Sequence, residues 1–254
     1  MLTSVEERFV KLDANEIHVV CVKWGDKYPS SYVNRLYGMV GRNLSLSYTF
    51  HCLTENSAGI HEGVNILPLP DTDYEGWWIK LMLFQQDFFG LQGRIIYLDL
   101  DLVITGNIDF LAEDNVGLSI IENWSRNRMW NSSVMSFRIG SLQFVWDRFA
   151  LESFEEVKMR YNGDQEWIFH CIPEAHIYPK QKIISYKKSC NARFGKCFVW
   201  TGLRLEPPKW LKAKLPVGAR IVVFHGKPDP DDVVDKHWNE WKHAPFVKKY
   251  WITS

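Results

Sequence analysis

The chain has 254 residues, 46% of them hydrophobic, which is enough for one buried core of α/β size, and its 30 basic and 30 acidic residues cancel. A net charge of zero excludes the generic polyanion-binding surface of nucleic-acid proteins, so any phosphate contact has to be local. No stretch reaches the ~20 apolar residues of a membrane-spanning helix, the first residues lack the apolar run of a signal peptide, and Cys21, Cys52, Cys171, Cys190 and Cys197 lack close ligand pairs, so the chain reads as cytoplasmic with reduced thiols.

Residues 17–23 form an apolar run that predicts a buried strand, broken by Trp24-Gly25-Asp26-Lys27-Tyr28-Pro29. From 30 to 43 the apolar side chains Val33, Leu36, Tyr37 and Val40 recur at helical spacing, with Ser30 or Ser31 available as N-cap. A strand, a glycine-containing turn and a helix open a βαβ unit. Residues 48–53 and 64–67 read as the next strands, and 76–84 as a helix.

The run 94–101, Arg94-Ile95-Ile96-Tyr97-Leu98-Asp99-Leu100-Asp101, follows as a strand of β-formers closing in two carboxylates. In an extended chain Asp99 and Asp101 project to one side while Leu100 points away. Two like charges held that close each raise the other's pKa unless a cation lies between them. Oxygen donors suit a hard divalent ion. Residues 116–121 and 130–137 are further strands, 140–154 is a helix, and Asn162-Gly163 is a turn before a helical segment. Short strands follow at 176–179 and 183–186.

Residues 187–216 show no period, and Gly195, Gly202, Pro207 and Pro208 mark them as a long loop or lid. Residues 219–224 read as a strand that ends in His225-Gly226-Lys227-Pro228. A neutral imidazole coordinates metals, a glycine admits close backbone approach, and a lysine offers a point charge for phosphate. With Asp99 and Asp101 this makes a set of two carboxylates and one imidazole, which favours Mn²⁺ over Mg²⁺. Residues 231–254, rich in Trp and Lys, read as a C-terminal packing segment, with contact to a membrane interface as the lesser option. The alternation of strands and helices predicts one α/β domain over 1–254, with a mostly parallel sheet flanked by helices and ligands at the carboxyl ends of its strands.

The ordered set of an N-terminal strand followed by Tyr28, then Tyr97-Leu98-Asp99-Leu100-Asp101, Asn131-Ser132-Ser133, Asp164-Gln165 and His225-Gly226-Lys227-Pro228 resembles the GT-A type nucleotide-diphospho-sugar glycosyltransferases. The likeness is to family eight, which includes glycogenin and lipopolysaccharide galactosyltransferases. It covers residues 17–230 in motif order. That family commonly has Asn-(Ser/Thr)-Gly where this chain has Asn131-Ser132-Ser133, and a longer spacing after His225, so the chain resembles a distant member. The resemblance implies a Mn²⁺-dependent transferase using a UDP-sugar, with Mg²⁺ possible, retention at the anomeric carbon, and a glycan, lipid-linked or small-molecule acceptor. It implies that Asp99, Asp101 and His225 hold the metal, with Asp99 also near the ribose. Gly226 and Lys227 would contact the diphosphate, and Tyr28 would stack on uracil. Asn131 and Ser133 would face the sugar, Asp164 and Gln165 would stand beside the anomeric carbon, and Lys80 would be a donor-side lysine.

Two other readings compete. Residues 95–103 also resemble the motif of a haloacid-dehalogenase-like phosphatase, with Asp99 as nucleophile. A non-catalytic nucleotide-sugar-binding protein would keep Tyr28 and the aromatics without needing Asp99, Asp101 and His225 together.

Overall fold

A computed structural model describes residues 16–113, 115–126, 128–191, 208 and 210–253. Strand β1 (Ile17–Lys23) lies between β2 (Thr49–Thr54) and β4 (Arg94–Leu98), parallel to both, and β3 (Asn65–Pro68) extends the sheet beyond β2. Beyond β4 come β7 (Trp130–Arg138), β6 (Ser119–Glu122) and β8 (His176–Ile177), giving the order β3-β2-β1-β4-β7-β6-β8. Only β7 runs against its neighbours. A second sheet packs beside the first, with β10 (Ile221–Val223) between antiparallel β5 (Leu102–Ile104) and parallel β9 (Ile183–Ser185).

The period-2 alternation of β1 divides the core. Val19 and Cys21 point to a layer that holds helix α1 (Ser30–Asn43) and the small sheet. Val20 points to the opposite layer, where the 3₁₀ helix Gly76–Phe84, α2 (Gln143–Ala150) and α4 (Asp164–Cys171) cover the sheet. Both faces of β1 are therefore apolar, which is why it reads as a continuous hydrophobic run.

Several expectations are corrected. Pro29, not Ser30 or Ser31, occupies the N-cap of α1, its fixed φ of −70° suiting the entry to the helix. The strand of residues 94–101 stops at Leu98, and Asp99-Leu100-Asp101 form a turn into β5, so the two aspartates share a turn rather than one face of a strand. The expected helix 140–154 divides into α2 and the start of α3 (Phe154–Arg160), and 76–84 is 3₁₀ throughout. Of the expected lid, residues 187–190 belong to a wide helical turn, Tyr186–Cys190, while 192–207 and 209, with Cys197, lie outside the described residues. The N-terminal residues 1–15 do so too.

The C-terminal segment carries two short helices, α5 (Pro230–Val233) and α6 (Pro245–Tyr250), and several aromatic side chains. Trp251 is buried, and Trp238, Trp241, Phe246 and Tyr250 lie against the core. No described helix is long and apolar enough to cross a membrane.

Candidate active site

The Asp99-Leu100-Asp101 turn is stitched to both sheets. The Asp99 amide donates to the Ser133 carbonyl of β7 at 2.9 Å, and the Phe224 amide after β10 donates to the Asp101 carbonyl at 3.1 Å. Because β7 is antiparallel to β4, with Val134 opposite Leu98, its amino end stands at the carboxyl end of β4. That brings Asn131 and Ser133 to the aspartates. The carboxyl ends of β1, β4 and β10 meet the amino end of α4 around a cleft of about 680 Å³.

Of the expected site residues, Tyr28, Lys80, Asp99, Asp101, Asn131, Ser133, Asp164, Gln165, His225 and Gly226 all line this cleft. Lys227 does not. Its ammonium lies 2.9 Å from Asp229 and 2.9 Å from Asp232, because two carboxylates within five residues along the chain are nearer than the cleft.

Lys80 stands at the centre of the charged groups. Its Nζ is 3.0 Å from Asp99 Oδ1 and 3.5 Å from Asp164 Oδ2, and it donates to Ser132 Oγ at 3.2 Å. The Tyr97 hydroxyl also donates to Asp99 Oδ1, at 2.6 Å, and Ser132 donates to Asp164. Burial opposes every charge here. For Asp99 it is outweighed by Lys80 and by the hydrogen bonds from Tyr97, Lys80 and Ser133, which hold the carboxyl below its usual range. For Asp164 burial wins and the pKa is raised despite Lys80.

Asp101 lacks such a partner. It accepts the Tyr28 hydroxyl at 3.1 Å, and burial, then the charge of Asp99, push its pKa up to about 8. His225 is kept neutral, its pKa pushed down to about 4 by burial and then by Lys187 and Lys188. Its Nε2 is 2.7 Å from Ser185 Oγ, and its ring stacks on Trp124 with centroids 5.3 Å apart.

This donor set fits a divalent cation. A buried carboxyl answered by the charge of Lys27 and by one phenol, which together do not offset burial and Asp99, is short of positive charge and, with a second carboxylate and a neutral imidazole beside it, offers ligands of the right kind. Ser185 would steady one ring nitrogen while the other coordinates. The only trio of carboxylate or imidazole groups whose ligand atoms converge within 4.8 Å among the described residues is Asp229, Asp231 and Asp232. Asp99, Asp101 and His225 therefore share the cleft without forming a closed shell.

Solved structures carry the same architecture. The glycosyltransferase GlyE of Streptococcus pneumoniae superposes with a TM-score of 0.60 at 16% identity, over 92% of this chain and 60% of its own. Its apo form gives 0.61 at 16% identity, over 93% and 59%. The galactosyltransferase LgtC, in complex with donor and acceptor sugar analogues, gives 0.54 at 15% identity, over 84% of this chain and 88% of its own. The chain has the GT-A fold. It spans about 60% of the length of the GlyE structures. No protein-family model and no curated protein sequence matches it.

The GT-A frame explains which residues were hard to foresee. Tyr97, on the strand leading into the aspartates, carried a signal, since it lies two residues before Asp99 and so on the same face. Ser132 was hidden between the two residues expected to face the sugar. Ser185 and Trp124 reach His225 through the pairing of β9 with β10 and through the loop after β6, neither of which a linear motif records.

Proposed function

We propose that the chain is a divalent-metal-dependent glycosyltransferase that moves a sugar from a UDP-sugar to a glycan, lipid-linked or small-molecule acceptor, with the retention of configuration that the family resemblance implies. The observation that carries this reading is Asp101. A buried carboxyl with a raised pKa, beside Asp99 and in one cleft with the neutral His225, is a site wanting a cation at the carboxyl ends of parallel strands. Asp99, Asp101 and His225 would hold Mn²⁺, or Mg²⁺ as second choice. The metal, when bound, would neutralise charge on a departing diphosphate.

The other residues divide the remaining work. Tyr28, which lines the cleft, offers a flat ring to the base. Asn131 and Ser133 offer hydrogen bonds to the sugar. Asp164 and Gln165, in the first turn of α4, stand where the anomeric centre would lie. Lys80 positions Asp99 and Asp164 by holding both carboxylates at once.

The phosphatase alternative needs Asp99 free to attack phosphorus, whereas Asp99 Oδ1 is engaged by Lys80 and Tyr97 and three strands precede the one that leads into it. A non-catalytic binder has no use for the buried Lys80–Asp164–Ser132 set at the cleft.

UDP with Mn²⁺ is expected to raise the melting temperature beyond Mn²⁺ alone, since a ligand that binds only the native state stabilises it by mass action. Slow Mn²⁺-dependent hydrolysis of a UDP-sugar should accompany it. If another nucleoside diphosphate shifts the melt and UDP does not, the uridine assignment falls. If none does, the transferase reading falls.

A further inference from the structure

Two lysines flank the end of β10, and they differ in what answers their charge. Lys227 is held by Asp229 and Asp232, and those carboxylates are themselves fixed: they form the capping box of α5, with Asp232 accepting the Asp229 amide at 2.7 Å. The Lys227 ammonium is thus neutralised within its own loop.

Lys187 arrives from the neighbouring strand. β9 and β10 are parallel with Ser185 opposite Val223, so two residues further along each chain bring Lys187 level with His225. There its Nζ donates to the His225 carbonyl at 2.7 Å, and it lies 3.8 Å from where a Cβ on Gly226 would stand. The Trp241 ring is 5.5 Å away on its other side. Among the described residues no carboxylate comes within ion-pair distance of this half-buried ammonium, and Asp229, Glu240 and Asp101 act on it only from further away. Lys187, like Lys227, is not itself part of the cleft lining, but its neighbours His225 and Gly226 both are.

A cation set against a carbonyl and an indole, beside a residue without a side chain, is suited to an anion entering over Gly226. We propose that Lys187, and not Lys227, receives the diphosphate of the donor. The proposal rests on the nucleotide-sugar reading above. It gives the leaving group one ammonium from β9's side of the small sheet, opposite the aspartate turn, and leaves Lys227 a structural role at the start of α5.

Calorimetric titration of the Mn²⁺-loaded full chain with UDP and with UMP separates these roles, since the two nucleotides differ by the β-phosphate. Lys187→Met is expected to weaken UDP by about tenfold or more, the size of a lost charge-assisted hydrogen bond, while UMP stays within about threefold. Lys187→Arg should restore part of the UDP affinity, which a packing role for the methylene stem would not require. Lys227→Met should leave UDP within about threefold and lower only the melting temperature. Unchanged UDP affinity in Lys187→Met, an equal loss of UMP, or a UDP loss confined to Lys227→Met would each overturn the assignment. A wild-type protein that binds no nucleoside diphosphate would instead bring down the nucleotide-sugar reading, and the inference with it.

Discussion

Lys80 holds two carboxylates at once, yet Asp99 and Asp164 respond differently. Asp99 gains a phenol and a serine hydrogen bond besides and stays below the usual carboxylate range, whereas Asp164 is more completely desolvated and rises above it. Removing charge from each aspartate of the cleft should therefore have distinct effects. Asp164→Asn keeps the shape and a partner for Ser132 but loses the electrostatic contact at the sugar, so kcat should fall by roughly 10²-fold while metal-dependent UDP binding stays nearly intact. Asp101→Asn should instead weaken metal-dependent UDP binding itself. Steady-state hydrolysis and calorimetry on the two variants check this, and near-normal turnover by folded Asp164→Asn would remove that residue from the site. At this scale the sequence was informative where chemistry is concentrated: Asp99, Asp101 and His225 stand at strand ends beside residues that explain them. It was least informative for Lys80, buried in the apolar stretch 76–84, whose role depends on three partners from three other elements. For Lys227 the carboxylates that pair with it, Asp229 and Asp232, were close by in the sequence.

Among the elements, the alternation of strands and a helix made β1, α1, β2 and β4 readable, because each buries apolar side chains, whereas edge strand β3 buries only Leu67. In the small sheet β9 and β10 were readable as apolar runs, but β5, with three residues, was not, and neither was the pairing that joins Val103 to Val222 from distant parts of the chain. Helix α1 shows how tertiary contact overrides local propensity. It contains Gly38 and Gly41, and in an isolated helix either would be improved by alanine by about 1 kcal/mol. A Cβ on Gly41 would meet only the Tyr48 hydroxyl, at 3.6 Å. A Cβ on Gly38 would lie 2.0 Å from the Thr253 carbonyl oxygen, in the tail that Arg42 also fastens through the Tyr250 and Ile252 carbonyls. Gly41→Ala is therefore expected to stabilise by roughly 0.4–1 kcal/mol. Gly38→Ala should destabilise by about 1–3 kcal/mol as the tail is displaced. Urea unfolding of the two variants gives the signs; a gain in stability for Gly38→Ala would mean that the tail does not pack on α1.

For the molecule as a whole, charge is balanced at pH 7, so the first loss of stability on acidification falls on particular buried groups, before protonation of the carboxylates builds up positive charge. His18 and His51 bridge β1 and β2, with His18 Nδ1 3.0 Å from His51 Nε2 and His18 Nε2 2.8 Å from the Gln92 carbonyl. Since a carbonyl only accepts, His18 carries its proton on Nε2, its bare Nδ1 accepts from His51 Nε2, and His51 Nδ1 is left bare. That nitrogen is buried without a partner, so a second proton on His51 would be an unanswered donor. Burial, then the neighbouring His18, push the His51 pKa down to about 4. The unfolded chain takes up that proton near the ordinary value of 6.5, before the native state does, so the His51 contribution is present above that pH and is lost as pH falls towards about 4. Asp101 works the other way in the metal-free protein. Its pKa of about 8 means that the native state holds a proton the unfolded chain has released, so stability falls as pH rises from its ordinary 3.8 towards that value. The two slopes oppose each other between about pH 4 and 6.5, and the wild-type curve alone would conceal both. The comparison that isolates the imidazole is His51→Gln, whose amide nitrogen still donates to His18 Nδ1 but does not titrate. The stability advantage of wild type over His51→Gln should shrink as pH falls through that window, by at most about 1.4 kcal/mol per pH unit, and level off below it. Urea unfolding of both proteins from pH 7.5 to 3.5 measures the difference, and two parallel curves would show that the buried imidazole pair is not what acid attacks.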